Sequence, residues 1–257
     1  MIKLMYKFGG IILRKLDLKE IENIEDFMTI KLDNTAKIVF SNAELNRSFN
    51  RNTDEGINQL ESLKYKFNVS EVVYLKQVHS DNILIYNNND IKNEEGDAII
   101  TDNKNVIIGV FTADCVPVIL VDEVKKVSAA IHSGWRGTFN SITLKTIEKM
   151  KNEFKCNPKN IKAYIGPHIR SCCYEVSAEL KEKFLKKKKE IKELDLFNKN
   201  NLNLEECILN DLRNSGVKED NINTLELCTY CSEKIKLHSY RKSNGDYGRM
   251  FTFIILE

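Results

Sequence analysis

Only three Pro and 11 Gly occur among 257 residues, and no Pro/Gly/Ser-rich stretch divides the chain. That scarcity argues against tethered modules and for a single compact domain over residues 1–257. Long apolar runs are missing too: stretches such as Val106–Phe111 and Phe251–Leu256 fall far below the roughly 20 residues that span a bilayer. There is almost no net charge. Lys and Arg number 39 against 37 Asp and Glu, a formal +2, so composition makes no electrostatic case for nucleic acid or an anionic membrane as partner. Met1–Arg14 has a basic start but strand-like β-branched and Gly residues and no small-residue cleavage site after it. No secretory leader is expected from that pattern, and the expected location is cytoplasmic. Seven Cys, an odd number running from Cys115 to Cys231, do not make a secreted disulfide framework, so reduced thiols are expected. A Gly-rich dinucleotide fingerprint and a Walker A loop are both absent, which excludes those nucleotide-binding devices. No repeat of solenoid length is present.

What is there suffices for a sizeable core: 42% hydrophobic residues, with 12 Phe and 9 Tyr. The patterning predicts strands at Met1–Tyr6, Gly10–Leu13 and Ala36–Ser41, then a Thr53-capped helix to Phe67 with Ile57, Leu60, Leu63 and Phe67 on one face. Strands follow in quick succession at Val72–Val78, Asn82–Tyr86, Ala98–Thr101, Val106–Phe111, Val116–Val121 and Val127–Ile131. A helix is predicted from about Thr138, burying Ile142, Ile147, Met150 and Phe154, and a strand at Ile161–Ile165. Ser177–Leu194 and Leu204–Asn214 read as helices, the second with Asn203 and Glu206 as a capping box and Gly216 past its end. Strands at Leu225–Cys228 and Phe251–Leu256 flank a short helix near Cys231–His238. Asn87–Asp90 and Phe197–Asn203 read as surface loops. Many consecutive strands with helices inserted late imply an α+β layered domain with mixed sheets.

Three residues stand out for chemistry. His79, Cys115 and His132 each follow an apolar strand-like run where it gives way to a turn, and strand ends in a layered fold can converge on one rim. Two imidazoles and a thiolate are three ligands for Zn²⁺ with a fourth position open, or a Cys nucleophile with a His base. Directly after His132, Ser133-Gly134-Trp135-Arg136-Gly137-Thr138 opens a helix. Its N–H groups and Arg136 suit a phosphate, and Trp135 offers a face for a base. His168, Arg170 and Glu175 could line a pocket, whereas vicinal Cys172 and Cys173 are expected to pack, with at most one in a site. Cys228-Thr-Tyr-Cys231 with His238 resembles half a zinc site but lacks a second Cys-x-x-Cys, so structural zinc is not expected there. Arg241 and Arg249 in Ser239–Arg249 could reach an anionic substrate, around a turn at Gly245 and Gly248. Lys186–Lys189 is expected to be a solvated face on a helix whose apolar side is Phe184, Leu185, Ile191 and Leu194.

Several stretches together resemble the YfiH/DUF152 family, also known as the Cu-oxidase_4, polyphenol oxidase or laccase-domain family. They are Lys76-Gln77-Val78-His79, Gly96-Asp97-Ala98 with Thr101, Thr112-Ala113-Asp114-Cys115-Val116-Pro117, His132 through Thr138, Ile165-Gly166-Pro167, Cys172-Cys173-Tyr174-Glu175-Val176 and Gly248-Arg249. They cover roughly residues 70–257, in order. The resemblance implies the CNF1/YfiH-like fold. It also implies zinc or copper held by His79, Cys115 and His132. The implied activity is phosphorolysis of adenosine, inosine and S-methyl-5'-thioadenosine with adenosine deamination. A monomer or homodimer is expected. An older description of the family is copper-dependent phenol oxidation. The chain departs from the family's Thr-Thr-Arg-x-Gly-Gly segment, having Val39-Phe40-Ser41-Asn42-Ala43-Glu44-Leu45 instead; Arg47 or Arg51 would have to replace its Arg. Asp97 or Asp114 would orient a ligand His or accept a ribose hydroxyl. The alternatives are a copper phenol oxidase, a Cys–His hydrolase using Cys115, and a metal-binding accessory protein without turnover. Four His in total argue against a multicopper site, and no exposed amphipathic partner helix supports the accessory role.

Overall fold

The computed structural model describes residues 5–8, 11–18, 21–245 and 247–257. In chain order the strands are β1 (Met5–Phe8), β2 (Ile11–Lys15), β3 (Glu22–Ile24), β4 (Phe27–Leu32) and β5 (Ala36–Ser41), followed by helix α1 (Asp54–Phe67). Next come β6 (Glu71–Val73), β7 (Ile83–Ile85), β8 (Ala98–Thr101), β9 (Val106–Thr112), β10 (Val116–Asp122) and β11 (Val127–Ser133). Helices α2 (Trp135–Phe139) and α3 (Ile142–Phe154) lead to β12 (Ile161–Ile165), α4 (Ala178–Lys187) and α5 (Glu193–Leu196). The chain ends with the pair β13 (Phe197–Asn198) and β14 (Asn201–Leu202), α6 (Leu204–Asn214), β15 (Ile222–Thr224), α7 (Tyr240–Ser243) and β16 (Met250–Leu256).

Two large mixed sheets, in the orders β1-β2-β15-β12-β10-β11-β8-β7 and β3-β4-β5-β16-β9-β6, form the middle of the molecule. Period-2 alternation sorts their side chains into three cores. From β10, Ile119 and Val121 meet Ile38, Phe40, Ile108 and Ile254 of the other sheet, while Val118 and Leu120 face Ile142, Met150, Phe184 and Ile208 of the helices. On the far side of the second sheet, Phe251, Phe253 and Ile107 pack on Leu60 and Leu63 of α1. The order is therefore helix, sheet, sheet, helices. Central strands covered on both faces have no solvent side, which is why they read as unbroken apolar runs. Among the described residues, no helix is long and apolar enough to cross a membrane.

The predicted α+β layering with mixed sheets is what the fold contains, and the differences from expectation have local causes. The strand expected over Val72–Val78 stops at Val73. The Gln77 side chain takes over the pairing, accepting from Phe111 N at 2.7 Å and donating to Phe111 O at 2.9 Å. His132 lies inside β11 rather than beyond it. The helix expected from Thr138 is split into α2 and α3 by Ser141, which has φ 58°. The Asn203 cap accepts from Glu206 N, but the Glu206 carboxylate turns to Arg213 and the box is half made. Of the helix expected over Ser177–Leu194, α4 forms the first part, capped by Ser177, and ends at Lys187. Lys188 is not solvated: it is buried, with Nζ 2.6 Å from Ser141 Oγ and 3.4 Å from Asp211 Oδ1, whereas Leu194 is 91% exposed. No helix forms at 231–238; Leu225–Cys228 gives way to the earlier strand β15 and a single bridge from Cys228 to His168. The predicted loop Phe197–Asn203 holds the β13–β14 pair with Phe197 and Leu202 buried, and β3 and β4 were not anticipated. Of the strands expected at Met1–Tyr6 and Gly10–Leu13, residues 1–4 and 10 lie outside the described residues.

Candidate active site

His79, Cys115 and His132 come together, each with a ligand atom within 4.8 Å of the others. Their positions come from three different pieces of backbone. Cys115 sits in the tight connection where the chain leaves β9 in one sheet and enters β10 in the other. The preceding Asp114 takes φ 95° there and is fixed by Thr229 Oγ1 donating to Oδ1 at 2.5 Å and Arg241 N donating to Oδ2 at 2.7 Å. His132 is held by strand pairing. His79, at φ 58°, lies in an irregular segment, and Asp97 holds it in place.

Asp97 is fully buried and organises the centre. Its carboxylate accepts from the backbone N–H of His79 (3.1 Å) and Ser80 (2.6 Å) and from Ser80 Oγ (2.7 Å). On its other side His132 Nδ1 lies 2.7 Å from Oδ1, leaving the opposite imidazole nitrogen for a ligand or for Cys115. Burial pushes the Asp97 carboxyl up, but the bonds from His132 and Ser80 outweigh it and hold its pKa below the ordinary value. Cys115 Sγ is 3.7 Å from His79 Nε2. Burial raises the thiol pKa, yet His132 and then His79 pull it down to about 6. The same partnership acts on His132: burial lowers it, while Cys115 and Asp97 raise it to about 9. Both shifts run toward a thiolate beside an imidazolium, each ion favouring the other. Gly134 is required by contact, since a Cβ there would stand 2.8 Å from His79 Cδ2 and 3.1 Å from Cys115 Sγ.

The centre opens into a cleft of about 470 Å³, a size that suits a small molecule. Of the residues anticipated for substrate or phosphate, Arg136, Asp114, Trp135 and Arg249 line it; Asp97 does not and acts from behind His132. Arg136 stacks on Trp135 with its guanidinium carbon 4.8 Å from the ring centroid, and Arg249 lies 3.9 Å over Tyr247. With Arg51 and Arg241, four guanidinium side chains line one cleft. Of the two candidate substitutes for the family's N-terminal Arg, Arg47 is spent on Asp26, 2.6 Å away, and Arg51 reaches the cleft.

Several expectations are corrected. His168 and Arg170 do not line the cleft: His168 is buried on Gly166 O, and Arg170 pairs with Glu205 at 3.0 Å. Their neighbours Ile169 and Tyr174 line it instead. Asp114 has both oxygens engaged, so the orienting carboxylate is Asp97. His238 bonds Arg47 O at 2.9 Å and joins no Cys cluster. Vicinal Cys172 and Cys173 both point to Cys228 and Cys231. The aromatics Tyr240 and Tyr247, which also line the cleft, were not anticipated, although they lie in the same 239–249 segment as Arg241 and Arg249.

Residues 28–257 match the Cu-oxidase_4 family, described as multi-copper polyphenol oxidoreductase laccase. The chain belongs to this family. Within the Cu-oxidase_4 fold, a solved YfiH structure from Bacillus licheniformis superposes with a TM-score of 0.82 at 24% identity, over 91% of this chain and 98% of that one. A protein named purine nucleoside phosphorylase from Clostridium acetobutylicum is 44% identical over 93% of this chain and 99% of its own length. One of the same name from Aquifex aeolicus is 38% identical over 74% of this chain and 86% of its own. A protein named adenosine deaminase RL5, from an unknown prokaryotic organism, is 29% identical over 94% of this chain and 98% of its own.

The donor set fits a single ion. Two imidazoles and a thiolate suit Zn²⁺ and accept Cu²⁺, and the Asp97–His132 bond is the support a ligating imidazole usually has. A multicopper relay needs many more imidazoles. Among the described residues, His168 and His238 are engaged elsewhere, so this centre has ligands for one ion.

Proposed function

We propose that this chain is a metal-dependent purine nucleoside enzyme, carrying out phosphorolysis of adenosine, inosine and S-methyl-5'-thioadenosine to base and (methylthio)ribose 1-phosphate, with adenosine deamination as a second activity. The observation that carries the reading is the joining of a His79–Cys115–His132 centre to a cleft with four guanidinium groups. The names of the relatives agree with it.

His79, Cys115 and His132, the last through the nitrogen that Asp97 leaves free, would hold Zn²⁺. When bound there it supplies a Lewis acid that activates water or polarises a leaving group. In phosphorolysis a phosphate oxygen bonds to the ribose anomeric carbon while the glycosidic bond breaks, its electron pair leaving with the purine. Arg51, Arg136, Arg241 and Arg249 hold the phosphate dianion against that carbon. Guanidinium forks match phosphate geometry, and they replace the helix N-terminus as the main anion device, because α2 spans only five residues. Trp135, Tyr174 and Tyr247 offer faces for the base. In deamination water adds at the amino-bearing purine carbon and ammonia leaves; Asp97 keeps His132 oriented throughout.

The test is chromatography of adenosine incubated with zinc-loaded protein, with and without phosphate, beside Cys115→Ala. Adenine and ribose 1-phosphate that depend on phosphate, or inosine without it, are expected, and both are lost in the variant. Neither product from zinc-loaded protein would sink the reading, as would full activity in Cys115→Ala.

A second reading has its own support. Cys115 beside an imidazole oriented by Asp97 has the nucleophile–base–orienter pattern of a thiol hydrolase. Catalysis that persists in a strong chelator and dies on alkylation of Cys115 would favour it.

A further inference from the structure

Apart from the cleft, four more thiols share one place. The Sγ atoms of Cys172, Cys173, Cys228 and Cys231 all lie within 4.8 Å of one another, Cys172 and Cys231 at 3.6 Å, and all four are free thiols. Core packing does not account for them, because Cys172 and Cys231 are exposed. Four sulfurs about 2.3 Å from a tetrahedral ion stand about 3.8 Å apart, and the 3.6 Å between Cys172 and Cys231 with all four sulfurs inside 4.8 Å is compatible with it. A disulfide would use only two of them.

The local backbone is built to present these sulfurs. Cys172 and Cys173 ride on a turn closed by Cys173 N donating to Arg170 O at 2.8 Å. Cys228-Thr-Tyr-Cys231 forms a second turn, with Ser232 N donating to Cys228 O at 3.0 Å. The two turns are laced together by His168 N to Leu227 O (3.1 Å) and Thr229 N to His168 O (3.0 Å). Backbone N–H groups of Arg170, Tyr230 and Cys231 are directed at Cys228 Sγ, the donors that a ligating sulfur retains in its outer shell. The second pair that a Cys-x-x-Cys half-site needs is therefore vicinal, from 56 residues upstream of Cys228.

We propose that Cys172, Cys173, Cys228 and Cys231 form a closed tetrathiolate site for one Zn²⁺, separate from the His79–Cys115–His132 centre. All four positions are filled by protein, so the site is structural: it has no open position for water or substrate. Loading releases the thiol protons to solvent. Its effect reaches the cleft through two short links. Thr229, next to Cys228, donates to Asp114; Ile169 N donates to Asp114 O at 2.9 Å; and Tyr174, next to Cys173, lines the cleft. The ion braces the wall behind Cys115. This inference stands independently of the purine reading.

The experiment is metal analysis and cobalt substitution of the full chain carrying Cys115→Ala, which disables the first centre. About one tightly held zinc per chain is expected, replaced by Co²⁺ with the strong thiolate-to-cobalt charge transfer and intense visible bands of a tetrahedral all-sulfur site. Adding Cys172→Ser and Cys231→Ser, at the two exposed ligands, should remove that ion and that spectrum. Because those variants can also lose the fold, thiol counting supplies a second readout. In unmutated zinc-loaded protein the four thiols should resist alkylation until a chelator is added. Metal-free Cys115→Ala protein with four reactive thiols, a Cys172–Cys231 disulfide in protein quenched under native conditions, or iron in place of zinc would each overturn the proposal.

Discussion

A carboxylate with no solvent exposure must be fully paired to be tolerated, and Asp97 is paired on one side with the 79–80 backbone and on the other with His132. It therefore couples two candidate ligands that are 53 residues apart in sequence. Asp97→Asn keeps the shape but loses the charge that steadies the His132 imidazole. Metal affinity should fall by roughly 10–100-fold, measured by competition with a chromophoric chelator; unchanged affinity would remove Asp97 from its positioning role. A second outcome concerns Cys115 in chelator-stripped protein. Its thiol pKa is pushed down to about 6 by His132 and His79, and the thiolate is the reactive form. As pH rises, the alkylation rate should climb through about 6 and level off above about 7, where an ordinary thiol is still climbing toward 9. A midpoint near the ordinary value would show that the pair does not form. Sequence supplied both Asp97 and Asp114 as candidates and could not choose. The choice rests on His132 Nδ1 lying 2.7 Å from Asp97 Oδ1 and on Thr229 occupying Asp114, contacts far apart in the chain.

Among the elements, those covered on both faces were legible. β8, β12 and α6 have the bounds that the patterning predicts, because an apolar strand between two layers and a capped amphipathic helix carry their own signals. Short polar strands such as β3, exposed throughout, carry none. The loss of the strand after Val73 depends on a side chain, Gln77, imitating a backbone partner, which periodicity does not encode. The Lys186–Lys189 run misled for a similar reason: one lysine of four turns inward to Asp211 and Ser141. Its removal makes a clear prediction. Lys188→Met leaves Asp211 buried and uncompensated, a break that costs about 3–5 kcal/mol, or on the order of 10 °C in Tm for a chain of this size. Burial already raises the Asp211 pKa above its ordinary value, and losing Lys188 raises it further. A raised folded pKa means that the folded state takes up the proton before the unfolded chain does. The deficit should therefore be largest near neutral pH and shrink as pH falls toward the unfolded carboxyl value of about 3.9. Urea titrations at several pH values check this, and a deficit independent of pH would show that Asp211 is not the source.

At the scale of the whole molecule, a formal charge of +2 hides a strong local asymmetry. Arg51 enters from the turn before α1, Arg136 from α2, Arg241 from α7 and Arg249 from the lead into β16, and all four line the cleft beside the thiolate centre. No window of sequence holds them together; the fold does, which is why net charge makes no case for nucleic acid or an anionic membrane and yet says nothing of a cleft that is locally basic. Arg249 is half-buried, its guanidinium carbon 3.9 Å from the Tyr247 ring centroid and Nη2 donating to Tyr247 Oη at 2.5 Å. Those contacts, on the wall of the cleft, suit a guanidinium rather than an ammonium. Arg249→Gln should raise the KM for phosphate by roughly tenfold or more, equivalent to about 1.4 kcal/mol, with a smaller change in the KM for nucleoside. Arg249→Lys should rescue little of it, because an ammonium neither stacks on the ring nor offers a planar fork. Steady-state kinetics with each substrate varied in turn decides the matter. If the nucleoside KM rises and the phosphate KM stays put, Arg249 lies at the base end of the cleft, and the phosphate falls to Arg51, Arg136 and Arg241.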